Sequence, residues 1–540
     1  MIKKYSFFLS GAFVLLMLFA SCSKQQQQQA QKRPNIIYIM SDDHASKAIS
    51  AYDPSLIHTP NIDRLAEDGI RFTNANVTNS LCAPSRAVML TGKYSNLNGL
   101  RDNRDTFNGD QNSWVKMLQK VGYFTSIIGK WHLKTVPQGF DYWDILIGQG
   151  HYYNPRFIEN GDTSQVQGYV TDLIMDKALD KLKSRDTSKP FAMLIHNKAP
   201  HRNWMPDSAH MDLFDNRNIP LPETFFDDYK TRSAAAKEQD MRVQDMFLSH
   251  DLKLQPQYFD KDTGTGGAPA NFDPVRAWKN IYSRLTPHQQ KIWDAHYDSV
   301  GQSFQQRDLK GLALAYWKYE RYMKDYLRCI ASVDDNIGRL LDYLDQSGLA
   351  KNTIVVYTSD QGFFLGEHGW FDKRFMYEPS LKTPLIVRYP QEIKAGTVSD
   401  KLVMNLDFAP TFVDEAGLSV PDTMQGRSLR PIFDGKADNW RKGMYYHYYE
   451  YPYGWHKVKK HYGIKTERYK LIHFYNDIDA WELYDLKNDP QEMNNLYSIP
   501  AYKHIADSLK NQLRELQVKY KDTDFDGSLV NTTRNVENQN

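Results

Sequence analysis

The 540-residue chain has only three cysteines, Cys22, Cys82 and Cys329, too few for the dense disulfide framework of a small secreted scaffold. It also lacks a surplus of either charge. Lys and Arg total 67; setting aside Lys3 and Lys4 leaves 65 against 65 Asp and Glu, which excludes a broadly basic, nucleic-acid-binding surface. Long hydrophobic runs are missing as well: the longest, Phe7 to Ala20, spans about 14 residues, short of the ~20 needed to cross a bilayer. The 30 Gly and 24 Pro are near average usage, so collagen-like and mostly disordered classes are excluded too. What is present is ordinary globular composition, 41% apolar and 24% charged, in a chain long enough for one large domain and one or two smaller ones.

Lys3 and Lys4 followed by the apolar stretch read as a secretion signal. Ala20-Ser21-Cys22 resembles a bacterial lipobox, with Phe19 where Leu is more usual, so Cys22 is expected to carry a lipid. The expectation is an exported bacterial lipoprotein, anchored in the periplasm or at the cell surface, with residues 1–22 as signal. Residues 23–33, including five consecutive glutamines, cannot bury apolar area and are expected to be a solvated tether.

From residue 34 apolar runs alternate with amphipathic stretches. Asn35 to Met40, Phe124 to Ile128, Phe191 to Ile195 and Thr353 to Tyr357 are short and nearly continuously apolar, as strands covered on both faces require. Between them, helices are expected from Pro60 to a stop at Gly69, from Trp114 to Val121, and from about Ala315 to Gln346, where Leu327, Ile330, Val333, Ile337, Leu341 and Leu344 recur every three or four residues. Cys329, within the last, is expected to be a small buried apolar residue. The alternation implies an α/β fold with a large mixed, mostly parallel sheet sandwiched by helices, over residues 34–435. Residues 203–305 are polar and irregular and read as an insertion near the site with some helix. Residues 436–540 are expected to form a smaller C-terminal domain of antiparallel sheet plus helix, with short aromatic-rich strands up to Asp485, a helix from Ala501 to Tyr520 and a loose tail from Asp524.

In such sheets ligands bind beyond the carboxyl ends of the strands. Asp42-Asp43 follows the first strand and Asp360-Gln361 the one at Thr353. Three carboxylates and an amide carbonyl make an oxygen-rich cage for a hard cation, Ca²⁺ or alternatively Mg²⁺, rather than zinc. A single Asp at such a place is more often a turn or cap residue; two pairs in one sheet weaken that explanation.

Between the pairs lies Cys82-Ala83-Pro84-Ser85-Arg86, followed by Leu90-Thr91-Gly92. C-x-P-S-R with this downstream L-T-G resembles the signature of the formylglycine-dependent sulfatases, of alkaline-phosphatase-like fold, and the resemblance extends from Pro34 to Leu496. It implies that a maturation enzyme oxidises Cys82 to an aldehyde, formylglycine. One hydroxyl of its hydrate attacks sulfur, and loss of the other's proton then expels sulfate and regenerates the aldehyde. It implies further that Cys82 also approaches the metal, that Arg86 steadies the hydrate, and that Pro84 near a helix start aims N–H groups at the sulfate. Gly129-Lys130-Trp131-His132 and Lys198-Ala199-Pro200-His201 follow strands and match sulfate-binding motifs of the family. By that resemblance Lys130 and Lys373 bind sulfate oxygens, His132 contacts the hydrate, and His201 binds sulfate and protonates the leaving alcohol. Gln361 stands where many family members have Asn. His368, in the same stretch as Lys373, is expected to support the site from behind.

The stretch from Ser359 to Arg374, with Glu482-Leu-Tyr-Asp-Leu and Asp489-Pro490, resembles bacterial sulfatases acting on glycosaminoglycans, and most of all those removing the 6-O-sulfate of N-acetylglucosamine in heparan sulfate and heparin. A sulfated glycan is thus the expected substrate; a 2-O-uronate or galactosamine sulfate, or a phosphonate or phosphate ester, is the alternative. In Tyr451 to His456, Trp455 and His456 are candidates for contacting the sugar.

Overall fold

The structure, a computed structural model, describes residues 33–522; the secretion signal, Cys22, all but the last residue of the tether and the tail beyond Asp522 lie outside the described residues. In chain order the large sheet contains β1 (Asn35–Ser41), β2 (Ile70–Phe72), β3 (Phe124–Lys130), β4 (Tyr142–Leu146), β5 (Arg156–Glu159), β6 (Asp162–Gln165), β7 (Phe191–His196), β8 (Thr353–Ser359), β9 (Leu385–Arg388) and β10 (Thr397–Ser399). Their spatial order is β10-β2-β9-β8-β1-β7-β3-β4-β5-β6. The central run from β8 to β4 is parallel, and antiparallel strands flank it on both sides.

Strand β1 is buried at every position. Its side chains alternate between two cores: Ile37 and Ile39 join one, Ile36, Tyr38 and Met40 the other. Each fully buried aliphatic chain contributes about 1.5–3 kcal/mol, which explains why unbroken apolar runs suit strands with helices on both sides. Five helices bear on the argument so far: α1 (Pro60–Glu67), α2 (Cys82–Thr91), α3 (Trp114–Lys120), α4 (Pro287–Arg307) and α5 (Gly311–Gln346). The apolar stripe of α5, including Leu327, Ile330, Val333, Ile337 and Leu341, fills the first core, and Cys329 is fully buried within it. Trp114, Val115 and Leu118 of α3, with Phe412, fill the second.

The insertion is less polar in its packing than in its composition. Trp204, Trp278, Trp293 and Tyr297 are buried in the first core, with the last two stacked at 4.3 Å. Thr286-Pro287 opens α4 with a full capping box to Gln289. A few large aromatic residues supply buried area that an average over the segment conceals.

Four antiparallel strands, β11 (Gly443–Tyr448), β12 (His461–Thr466), β13 (Tyr469–Phe474) and β14 (Ala480–Asp485), form the small sheet, covered by helix α6 (Lys503–Lys519) through Ala506, Leu509 and Leu513. The small sheet is tied to the segments around the site. The Tyr446 hydroxyl donates to the carbonyl of Arg374 at 2.6 Å, and His447 N–H to that of Thr78 at 3.0 Å. No helix among the described residues is long and apolar enough to cross a membrane.

Candidate active site

Register brings the acidic pairs together. Ser41 of β1 lies opposite Ser359 of β8, so both strands end flush and Asp42-Asp43 emerges beside Asp360-Gln361. Asp360 N–H donates to Ser41 O, and Asp43 N–H to Asp360 Oδ1, each at 3.2 Å. One oxygen from each of Asp42, Asp43 and Asp360 lies within 4.8 Å of the others, and all three residues are fully buried. Gln361 is buried with them. Its Nε2 contacts Asp43 Oδ1 at 2.5 Å and Cys82 Sγ at 3.6 Å, while its Oε1 has no hydrogen-bond partner. Three buried carboxylates and an orphaned amide oxygen fit a hard divalent cation with oxygen ligands.

Cys82 is the first residue of α2, and its Sγ lies 3.4 Å from Asp42 Oδ1. One turn on, Arg86 reaches Asp360 Oδ2 through Nε at 3.1 Å and Nη2 at 2.9 Å, and Asp42 Oδ2 at 3.2 Å. Its Nη1 donates to Lys130 O at 2.8 Å, which ties the end of β3 to the cluster. Arg86 thus braces the carboxylates. The helix start offers fewer N–H groups than expected: Ala83 N–H donates to Asn103 Oδ1, Pro84 has no N–H, and Ser85 N–H closes the first helical turn on Leu81 O.

Two lysines complete the cluster. Lys130 pairs with Asp42, and Lys373 Nζ lies 2.7 Å from Asp43 Oδ2. His201 Nε2 is 3.8 Å from Asp43 Oδ2, and its Nδ1 is 2.5 Å from Arg202 O. His132, in the left-handed region at φ 57°, contacts Gln149 through Nε2 and leaves Nδ1 unpartnered. The site residues expected after the strands therefore converge, the only departure being at the helix start.

Burial is the largest influence on each of the following groups, and for Asp42 alone do neighbouring charges reverse it. Burial and the like charges of Asp42 and Asp360 push Asp43 up to about 7, and burial with the charge of Asp42 lifts Asp360 to about 6. For Asp42, burial is outweighed by Lys130, His201, Arg86 and Lys373, which hold the carboxyl well below its usual range. His132 and His201 are driven well down by burial and by Lys130. Burial and the charge of Asp42 push the Cys82 thiol far up, so an unmodified Cys82 is a neutral thiol and a poor nucleophile.

Lys373 is flanked by two residues that sequence reasoning passed over. Asp372 and Arg374, both at positive φ, pair through Asp372 Oδ1 and Arg374 Nη1 at 2.6 Å. His456 Nε2 lies 3.1 Å from Asp372 Oδ2, and Trp455 O accepts from Arg374 Nε at 3.2 Å. The cluster expected from Tyr451 to His456 thus joins the lysine loop, with His456 buried and Trp455 half-buried. The signal was adjacency: Asp372 and Arg374 border the lysine already singled out. His368 is buried against Asp227, its Nδ1 2.8 Å from Oδ2, and anchors this loop to the insertion.

A family model described as Sulfatase matches residues 34–418, and a second, N-sulphoglucosamine sulphohydrolase, C-terminal, matches residues 366–519. The chain belongs to the sulfatase family. The sulfatase is 51% identical over 515 residues to an N-acetylglucosamine-6-O-sulfatase of Bacteroides thetaiotaomicron, covering 94% of this chain and 90% of the relative. It is 28% identical over 467 residues to the human N-acetylglucosamine-6-sulfatase, covering 81% and 71%. A solved structure described as a complex with its substrate D-glucosamine-2-N,6-O-disulfate superposes with a TM-score of 0.87 at 51% identity, covering 92% of this chain and all of that one. Fold and family thus agree with the resemblance carried by C-x-P-S-R.

Proposed function

We propose that this sulfatase removes the 6-O-sulfate of glucosamine residues, N-acetylated or N-sulfated, in heparan sulfate or heparin fragments. The observation that carries the reading is the 51% identity, over nearly the whole chain, to a relative named for that activity. The geometry supports it: Cys82 borders three carboxylates and two lysines at the tips of one sheet, with Asp372, Arg374, Trp455 and His456 beside them. Cys82 acts after conversion to formylglycine by a maturation enzyme, as the resemblance of C-x-P-S-R to the family signature implies. Asp42, Asp43, Asp360 and Gln361, with residue 82 itself, would hold the cation, Ca²⁺ in first place and Mg²⁺ in second. Bound there, it supplies positive charge to the sulfuryl group.

Each remaining role falls to a residue already paired. Lys130 and Lys373, which lie on Asp42 and Asp43, give their charge to the sulfate oxygens when a cation takes over those carboxylates. Arg86 holds the carboxylates and residue 82 in line, and His132 accepts a hydrogen bond from the hydrate. His201, its Nδ1–H fixed on Arg202 O, has a bare Nε2 while burial and Lys130 keep the ring neutral; the negative charge of the bound sulfate favours the imidazolium, whose Nε2–H then goes to the leaving sugar oxygen, a step worth about 10²–10⁴ in rate. Asp372 and Arg374 supply hydrogen bonds to sugar hydroxyls and Trp455 an apolar face, while His456, buried with its ring nitrogens on Asp240 O and Asp372 Oδ2, holds Asp372 in place. Residues 34–435 carry the chemistry and residues 436–540 complete the sugar wall. A lipid on Cys22 keeps the enzyme at the membrane, in the periplasm or at the cell surface.

A panel of 6-O-, 2-O- and 3-O-sulfated mono- and disaccharides, with phosphate and phosphonate esters alongside, tests the assignment. Sulfate release confined to the 6-O position of glucosamine is expected. Equal or faster turnover of the phosphorus esters, or of 2-O-sulfated uronate, would overturn it.

A further inference from the structure

Arg202 follows His201 directly, and while its carbonyl fixes the His201 ring its side chain has no part in the chemistry proposed above, yet almost all of that side chain's donors are spent at one junction. Its Nε and Nη2 grip Asp251 Oδ1 and Oδ2, both at 2.8 Å, and Asp251 is fully buried and fixed in turn by Phe247 N–H at 2.9 Å. This two-pronged bond sets the guanidinium plane. The plane lies 4.7 Å from the ring centre of Trp455 and 5.1 Å from that of Phe371, the residue before Asp372. The remaining nitrogen, Nη1, donates to Gly266 O at 3.0 Å and stands 3.5 Å from His456 Nε2.

That last contact answers a question about His456. Its Nδ1 is 2.8 Å from the carbonyl oxygen of Asp240, which can only accept, so Nδ1 carries the hydrogen. In the neutral ring Nε2 is then bare, yet it faces Asp372 Oδ2 at 3.1 Å, lone pair against carboxylate. Arg202 brings the compensating N–H and positive charge to that point. The backbone closes the same junction: His456 N–H donates to Gly267 O at 2.8 Å, and Asp240 N–H to His456 O at 3.0 Å. Gly266 and Gly267 both have positive φ, and a Cβ on Gly267 would stand 2.0 Å from His456 Nδ1.

We infer that Arg202 is a positioning residue for sugar recognition: clamped by Asp251, it aligns the Trp455-His456 turn against Asp372 and joins that wall to the His201 loop and to the insertion. Sugar selectivity therefore depends on Asp240, Asp251, Gly266 and Gly267 of the insertion. Lysine cannot replace this arginine, because an ammonium neither grips a carboxylate with two prongs nor stacks as a plane on two rings. The inference rests on the reading that Trp455 and Asp372, which His456 holds, face the sugar.

The test measures KM and kcat for 6-O-sulfated N-acetylglucosamine, and the inhibition constant of inorganic sulfate, on matured, metal-replete enzyme. In Arg202→Lys and in Gly267→Ala, KM is expected to rise about tenfold or more, while kcat and the sulfate inhibition constant stay within about threefold. Gly267→Ala disturbs the same junction without touching the ion pair, so it decides the matter if Arg202→Lys does not fold. KM and the sulfate constant rising together, or neither moving, overturns the inference. Wild-type enzyme that releases no sulfate from this sugar would instead overturn the parent reading, and this one with it.

Discussion

At the end proposed to hold the sulfate, Asp42, Lys130 and Asp360 stand at or just past the ends of strands in the parallel run of the large sheet, where strand register brings them within reach of each other and Arg86 braces them. At the end proposed to hold the sugar, Arg202, Asp251 and His456 come from three loops and Asp372 from the two-residue strand Phe371–Asp372, and what aligns them is a set of hydrogen bonds between segments up to 254 residues apart. The first arrangement is as rigid as the sheet core beneath it. The second can be altered loop by loop while the chemistry stays in place, the division of labour expected when one fold serves many substrates.

The sharpest way to break this contrast is to remove its chemical centre. Cys82→Ala, which leaves no group to convert to the aldehyde, is expected to lower kcat/KM by about 10⁴ or more with an unchanged circular dichroism spectrum. Residual turnover within tenfold of wild type would detach the chemistry from residue 82. Next in size is the cation cage. Asp43→Asn is expected to cut kcat by about 10²–10³, and chelation of the wild type to lower its melting temperature by about 5 °C or more, restored by Ca²⁺. A melting curve indifferent to chelator and Ca²⁺ would leave three buried carboxylates without a purpose. On the other side of the contrast, Arg374→Ala is expected to raise KM for the 6-sulfated sugar about 10- to 100-fold with kcat less affected, as for loss of charged hydrogen bonds. A pure kcat effect would move Arg374 to the sulfate end.

How much of this was legible in the sequence follows the same division. Continuous apolar runs announced β1, β3, β7 and β8, because burial on both faces leaves no room for polar alternation, and each run pointed to the polar residues at its end. Lys130 and His201 could be located for that reason together with their match to family motifs, whereas Lys373 and the motif around Cys82 were located by the resemblance to the sulfatase signature alone. Arg202 and Asp251 gave no such sign. Their meaning lies in a contact across 49 residues, inside an insertion whose polar composition hid Trp278 and Trp293 in the core. Asp372 and Arg374 were half legible, lying next to Lys373 but made functional by positive-φ backbone and by His456, 84 residues later. The helix start at Cys82 was read too simply, since the Asn103 side chain that occupies Ala83 N–H cannot be foreseen from local spacing.

The smallest predicted effect lies far from both ends and serves as a control on the electrostatics. Burial and then the charge of Glu392 push Glu415 up to about 8, against an ordinary value near 4.5. Between these two values the folded chain holds a proton that the unfolded chain has released, so stability falls as pH rises through that window. Glu415→Gln removes the dependence. Its melting temperature relative to wild type is expected to climb by about 1–3 °C between pH 5 and pH 8, with sulfate release unchanged. A difference that stays flat with pH would show that the two carboxyls do not share the burial assigned to them.

The account turns on what occupies position 82, and mass spectrometry of the peptide containing that residue reads it directly. Enzyme produced together with a formylglycine-generating maturation enzyme should show the aldehyde in place of the thiol, with sulfate release from 6-O-sulfated N-acetylglucosamine in proportion to the converted fraction. Full activity in a preparation whose Cys82 is entirely thiol would contradict it.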